Sequence, residues 1–210
     1  MIDFEEVKKY LPQYLSSKSQ DKLFQELKSF PKNIDDRLYS QVLKKDGIVY
    51  QGDGINGMLV VNLPLEEIRP VRSMILSNSC SIHADNKKLS PSRIIYAPIF
   101  NLQKYVERLT EELKNEENFG TKIAEHIDSL KRQLNTQIFY LPKGGDLEDD
   151  SMVFLDRLNN CPTDYITSEE ISKRKIFTLS DYGFYLFLIK LSIHFTRVRE
   201  DIERTLLAPH

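Results

Sequence analysis

Residues 47–63 read GIVYQGDGINGMLVVNL, and residues 69–78 read RPVRSMILSN. Short apolar runs rich in β-branched side chains alternate here with glycine, Asp and Asn, the texture of strands joined by tight turns. This pattern predicts strands at Ile48–Gln51, Met58–Leu63 and Ser73–Leu76. A fourth follows at Arg93–Ala97, after a polar loop from Asp85 to Ser90-Pro91. Gly52-Asp53-Gly54 and Asn56-Gly57 supply turn chemistry, with glycine available for positive φ.

Outward from this centre the period changes. Towards the N-terminus, helices are predicted at Phe4–Leu15, shortened or kinked by Pro12, and at Asp21–Phe30, capped by Ser19 and closed by Pro31. Leu23, Phe24, Leu27 and Phe30 form an apolar stripe at helical spacing. Towards the C-terminus, Asn101 caps a helix over Leu102–Asn115, Asn118-Phe119-Gly120 breaks it, and a second helix covers Thr121–Leu134. Two more strands, Gln137–Leu141 and Met152–Leu155, flank the polar connection Lys143–Asp150. Ser180 then caps a long helix to Leu207, whose first half (Phe184 to Ile189) is apolar on every side and reads as core or a dimer seam.

These elements define an α+β class. One domain over 1–210 is expected, with a helical arm (1–46), a strand-rich body (47–165) interrupted by a helical pair (102–134), and a C-terminal helical segment (166–210). Strands within 137–158 are expected to return to the sheet built by 47–99.

The chain has 210 residues with a formal net charge of −2, so no global positive field draws it to nucleic acid, and a nucleic-acid site would be a local patch. Two cysteines, Cys80 and Cys161, form no CxxC pair, and the acidic N-terminus lacks signal-peptide character. The most apolar stretch, Tyr182 to Phe195, contains Lys190 and His194 and is too short to span a bilayer. A cytoplasmic protein with no membrane association is expected.

Three segments, in order, resemble the PemK/MazF toxin family, small SH3-like β-barrels that act as endoribonucleases. They are Gln51-Gly52-Asp53 followed by Met58–Leu63; Arg69-Pro70-Val71-Arg72 leading into Ser73–Leu76 and Ser77-Asn78, with Ser90–Ala97 behind it; and Asp150–Leu158. The resemblance covers about 47–97 and 137–165. It implies an SH3-like barrel to which the helical pair, the N-terminal arm and the C-terminal helix are additions.

The resemblance also implies an arginine and a threonine at the reaction centre of a metal-independent ribonuclease, where positive charge would stabilise the phosphorane. Arg69 matches that arginine if two extra residues form a bulge, and Arg72 matches it if they do not. The threonine has no counterpart, because the equivalent stretch reads Ala97-Pro98-Ile99-Phe100. Ser77, Ser79 and Ser81 lie near enough in sequence to substitute, Ser77 first. Asn78 and the basic run Lys173-Arg174-Lys175 are the candidate RNA contacts. Tyr96, Phe139, Tyr140 and Phe154 lie on predicted strands, where an exposed aromatic could stack on a base, though most read more simply as core.

Cys80 and His83 invite a nucleophile–base reading, but such pairs usually converge from distant segments. The four histidines are scattered without metal-ligand spacing. No cofactor and no metal are expected.

Two functions remain open at this point. One is an RNA-directed protein, either a diverged endoribonuclease or an RNA binder with single-stranded RNA as partner. The other is a non-enzymatic protein-interaction module of a bacterial toxin–antitoxin or defence-type system. A homodimer is the expected assembly. The surface around Arg69–Asn78 discriminates between them: a concave basic groove favours RNA, and an apolar patch favours a protein partner.

Overall fold

The computed structural model describes residues 16–83, 89–90, 92–166 and 171–196. The helix expected at Phe4–Leu15, most of the Asp85–Pro91 loop, and the final helix beyond Thr196 lie outside these residues. The described part is α+β, with one antiparallel sheet of seven strands and six helices. The strands are β1 (Gly54–Asn62), β2 (Glu67–Ile75), β3 (Arg93–Asn101), β4 (Ile138–Leu141), β5 (Ser151–Phe154), β6 (Asn159–Pro162) and β7 (Lys175–Phe177). The helices are α1 (Ser17–Lys28), α2 (Ser79–Ile82), α3 (Leu102–Leu113), α4 (Phe119–Lys131), α5 (Ile171–Arg174) and α6 (Asp181–Thr196).

The sheet order is β4-β5-β3-β2-β1-β7, and β6 lies beside the first half of β3. β5 and β6 follow one another along the same edge of β3: Val153 faces Ile99, and Asn159 faces Tyr96. The strands within 137–158 therefore do join the sheet of the central region. The sheet is open: among the described residues, no ladder joins its β1–β7 end to β4 or β6.

Several expectations shift in physically clear ways. Ile48–Gln51 is not a strand, because the Tyr50 amide turns onto the Asp53 carboxylate (2.9 Å) and the Gln51 side chain reaches the Leu76 carbonyl (2.8 Å). Asn56-Gly57 is a bulge within β1, with Gly57 at φ +75, instead of a turn between strands. β2 begins at Glu67, earlier than the expected Ser73, because it pairs along the whole length of β1. α1 starts at Ser17, about one turn earlier than Asp21, with Ser16 and not Ser19 as its cap. Asn101 and Ser180 cap as their sequence positions predict, Asn101 accepting from the Lys104 amide and Ser180 from the Gly183 amide.

Three apolar cores support this frame. The largest packs α1 and α6 on the sheet through Leu23, Leu27, Tyr182, Leu186 and Phe187 against Phe139, Val153 and Phe177. A second, built from Ile55, Met58, Ile75, Ile94, Tyr96 and Cys161, fills the curve of β1, β2, β3 and β6. The third docks the α3–α4 pair on β4 and β5. α6 is buried at Tyr182–Phe187, apart from the half-buried Phe184, but exposes Ile189, Ile193 and Phe195 further on, so only its first half is core.

Candidate functional site

β1 and β2 extend together beyond their neighbours as a two-stranded arm, because β3 pairs only Ser73–Ile75 and β7 pairs only Gly54 and Ile55. Arg69 lies opposite Val60 near the tip of this arm, exposed and paired with Glu67 (2.7 Å). Arg72 is also exposed. It sits three residues away in a strand whose bulge belongs to its partner, so the two guanidinium groups leave opposite faces of the sheet. The structure does not bring them together.

Ser77 is occupied by the backbone: its hydroxyl accepts from the Ile95 amide (2.7 Å) and faces the Arg93 carbonyl. Asn78 caps the single turn α2 by accepting from the Cys80 amide (2.8 Å). Ser79 accepts from the Gln51 amide (2.8 Å). These side chains fasten the exit of β2 to β3 and to the 50–53 turn. Cys80 is exposed and Cys161 buried. Among the described residues, no group of three His, Cys, Asp or Glu side chains is placed to hold a metal ion.

The basic run 173–175 separates into unlike positions. Lys173 is exposed. Arg174 donates to the carbonyls of Asn56 (3.0 Å), Gly57 (3.2 Å) and Tyr165 (3.4 Å) and lies over the Tyr165 ring. Lys175 is buried, with its ammonium 3.2 Å from Asp53 and beside the Leu43 carbonyl and the Tyr50 ring. Burial pushes the Asp53 carboxyl up to about 6, against the opposing pull of Lys175 and the Tyr50 amide. The Thr178 hydroxyl favours the charged form from nearby without a hydrogen bond, and Asp53 Oδ1 has no partner.

Arg174 also belongs to a seam. The outer edge of β1 has no strand beside it past Ile55, yet its polar groups are taken one after another by side chains. Arg174 takes Asn56 O, Tyr165 takes Gly57 O (3.2 Å), Tyr96 takes Leu59 O, and Asn159 takes the Val61 amide (2.9 Å). The gap between β1 and β6 is thus bridged by side chains in place of a ladder, which gives these edge backbone groups partners within the protein.

The other face of the arm is apolar. Leu59 and Val61 are 41% and 43% exposed, Ile68 63%, and the connecting residues Leu63 and Leu65 77% and 64%. This feature was not visible from the sequence. Met58-Leu59-Val60-Val61 reads as a strand buried on both faces, and nothing local marks one face as uncovered. A second unforeseen feature is a groove between α3 and the end of β5, where Arg157 lies over Phe154. Its one legible sign was Lys104 and Arg108, one turn apart on an amphipathic helix.

No protein-family model matches the chain, and no curated protein matches it in sequence. No helix among the described residues is long and apolar enough to cross a membrane.

Proposed function

We propose that this chain acts by binding protein and not by catalysis, and that its docking element is the apolar outer face of the β1–β2 arm. The observation that carries the reading is the uncovered set Leu59, Val61 and Ile68 on the face of the arm away from Arg69, with Leu63 and Leu65 at the tip, where an RNA site would need a basic hollow. The SH3-like frame belongs to the same proposal: four strands curve round one core, and side chains bridge the remaining seam.

The mode of docking follows from the edges. Strand addition to β2 meets Pro70, which has no amide to offer, and the β1 edge is already taken by Tyr96 and Asn159. Contact is therefore face to face. The occupant we assign is a second copy of this chain, because a face whose exposed positions Leu59, Val61 and Ile68 are apolar, with Arg72 at its inner end, is largely complementary to itself and asks for little charge on a partner.

The ribonuclease reading finds no support at its own residues. Arg69 and Arg72 diverge, and the Ser77 hydroxyl is engaged with the backbone.

Light scattering over a dilution series tests the proposal. A dimer that becomes monomeric in Val61→Lys and Ile68→Lys, both exposed positions, supports it. A wild-type chain that stays monomeric at high concentration overturns it, and adsorption of that monomer to lipid vesicles would reassign the patch.

A further inference from the structure

We propose that the groove between α3 and the end of β5 is a nucleotide-binding site, taking a base stacked on Arg157 with its phosphate between Lys104 and Arg108. The inference does not rest on the arm or on its partner.

The groove encloses about 410 Å³, within the range of small-ligand sites. Its floor is a fixed aromatic group. Phe154 is 9% exposed, and Phe100 and Tyr105 meet it edge-on, with ring centroids 5.4 and 6.0 Å away. Tyr105 is held in turn by a 3.0 Å hydrogen bond between its hydroxyl and His126 on α4. The Arg157 guanidinium lies 3.9 Å from the Phe154 centroid and 5.1 Å from that of Phe100.

That position leaves Arg157 with unspent capacity. Among the described residues its side chain makes ring contacts only, so none of its five N–H donors is engaged by them, and its outer face is exposed. A planar cation fixed on one aromatic ring presents its second face to another flat, electron-rich ring, and nucleic-acid bases stack on arginine in this way. The geometry accounts for a base where it would not account for an aliphatic ligand.

The wall supplies charge of one sign. Lys104 and Arg108 project from successive turns of α3, and the Lys104 ammonium has no ion pair among the described residues. Arg108 is paired with Glu112 (2.7 Å), the one carboxylate lining the groove. Three cations against one anion give a local positive site on a chain whose net charge is −2. A phosphate attached to the stacked base satisfies it.

A nucleotide can arrive free or as part of a single-stranded nucleic acid, and one titration separates these sources. Binding of a short fluorescein-labelled oligoadenylate is followed by anisotropy, with AMP and ATP as competitors. Complete displacement by either mononucleotide assigns a free nucleotide, and displacement only by unlabelled oligoadenylate assigns single-stranded RNA. Arg157→Ala is expected to weaken binding about tenfold, the loss of one stacking partner. Arg157→Lys is expected not to restore it, because an ammonium offers no plane. Lys104→Ala/Arg108→Ala, on the exposed side of α3, is expected to reduce the slope of log affinity against log salt by about 1.4 for a single strand.

If Arg157 only shields the aromatic cluster, its removal lowers the melting temperature and leaves binding unchanged. That result, the absence of binding by the wild-type chain, or unchanged affinity in the Lys104/Arg108 variant would overturn the assignment.

Discussion

Arg174 donates to the carbonyl of Gly57 at 3.2 Å, across 117 positions of sequence. Gly57 is the bulged residue of β1, and Tyr165 donates to the same oxygen. Two side chains from the C-terminal half thus seal the point at which β1 loses regular pairing. This contact lies at the bulge from which the arm projects.

Removing it should therefore loosen the body. Arg174→Ala gives up charge-assisted hydrogen bonds to part-buried and exposed carbonyls and should cost about 1–2 kcal/mol in chemical denaturation. Arg174→Lys should recover less than half of that, since one ammonium cannot fork to Asn56 and Gly57 together. A loss within measurement error would mean that solvent replaces the guanidinium without penalty.

The buried pair Asp53–Lys175 predicts a pH dependence. With its folded value raised to about 6 from an ordinary value near 4, Asp53 holds its proton more tightly folded than unfolded. Its stabilising contribution is full below pH ~4 and is lost as pH rises to about 6, by about 3 kcal/mol at most. Asp53→Asn should flatten this slope in urea titrations. Lys175→Met withdraws the opposing charge and should move the slope to higher pH.

Lys190 predicts the opposite sign in a different window. Its ammonium is buried on α6 without a carboxylate partner among the described residues, donating to the Gln133 backbone carbonyl (2.7 Å) and side-chain oxygen (3.1 Å) just past the end of α4. Burial holds it down to about 7. The unfolded chain then binds the extra proton between pH ~7 and ~10, so stability should rise across that interval. A gain on the order of 2 kcal/mol from pH 7 to 9, absent in Lys190→Met, is the expected result.

Ser77 should behave as a fastener. Ser77→Ala leaves the Ile95 amide without its acceptor and should cost about 1–2 kcal/mol. RNA incubated with the wild-type chain in EDTA should remain intact, and Arg69→Ala and Arg72→Ala should change nothing. Cuts that vanish in either arginine variant would restore a catalytic reading.

The sequence made legible what local rules govern. Asn101 before Leu102, the break before Phe119, which the sequence places slightly late at Asn118-Phe119-Gly120, and the alternating texture after residue 47 announce helices and strands that the structure contains. The long-range partners left no local trace. β6 (Asn-Asn-Cys-Pro) and β7 (Lys-Ile-Phe) are too short for a periodic signal and exist because β3 and β1 offer edges to pair. The run Lys173-Arg174-Lys175 reads as one basic cluster, yet Asp53, Gly57 and Tyr165 divide it into a buried ion pair, a carbonyl clamp and one exposed lysine. The apolar face of the arm stayed hidden because Val61 and Ile68 carry the same residue types whether a strand is covered on both sides or one.

The most direct test of arm-to-arm docking is a distance between two copies of the arm. A nitroxide at Asn62→Cys, beside the patch and in a Cys80→Ser background, would be measured by pulsed dipolar spectroscopy. Our account predicts a single narrow distance that disappears in Ile68→Lys. A trace without dipolar modulation, or one that Ile68→Lys leaves unchanged, would contradict it.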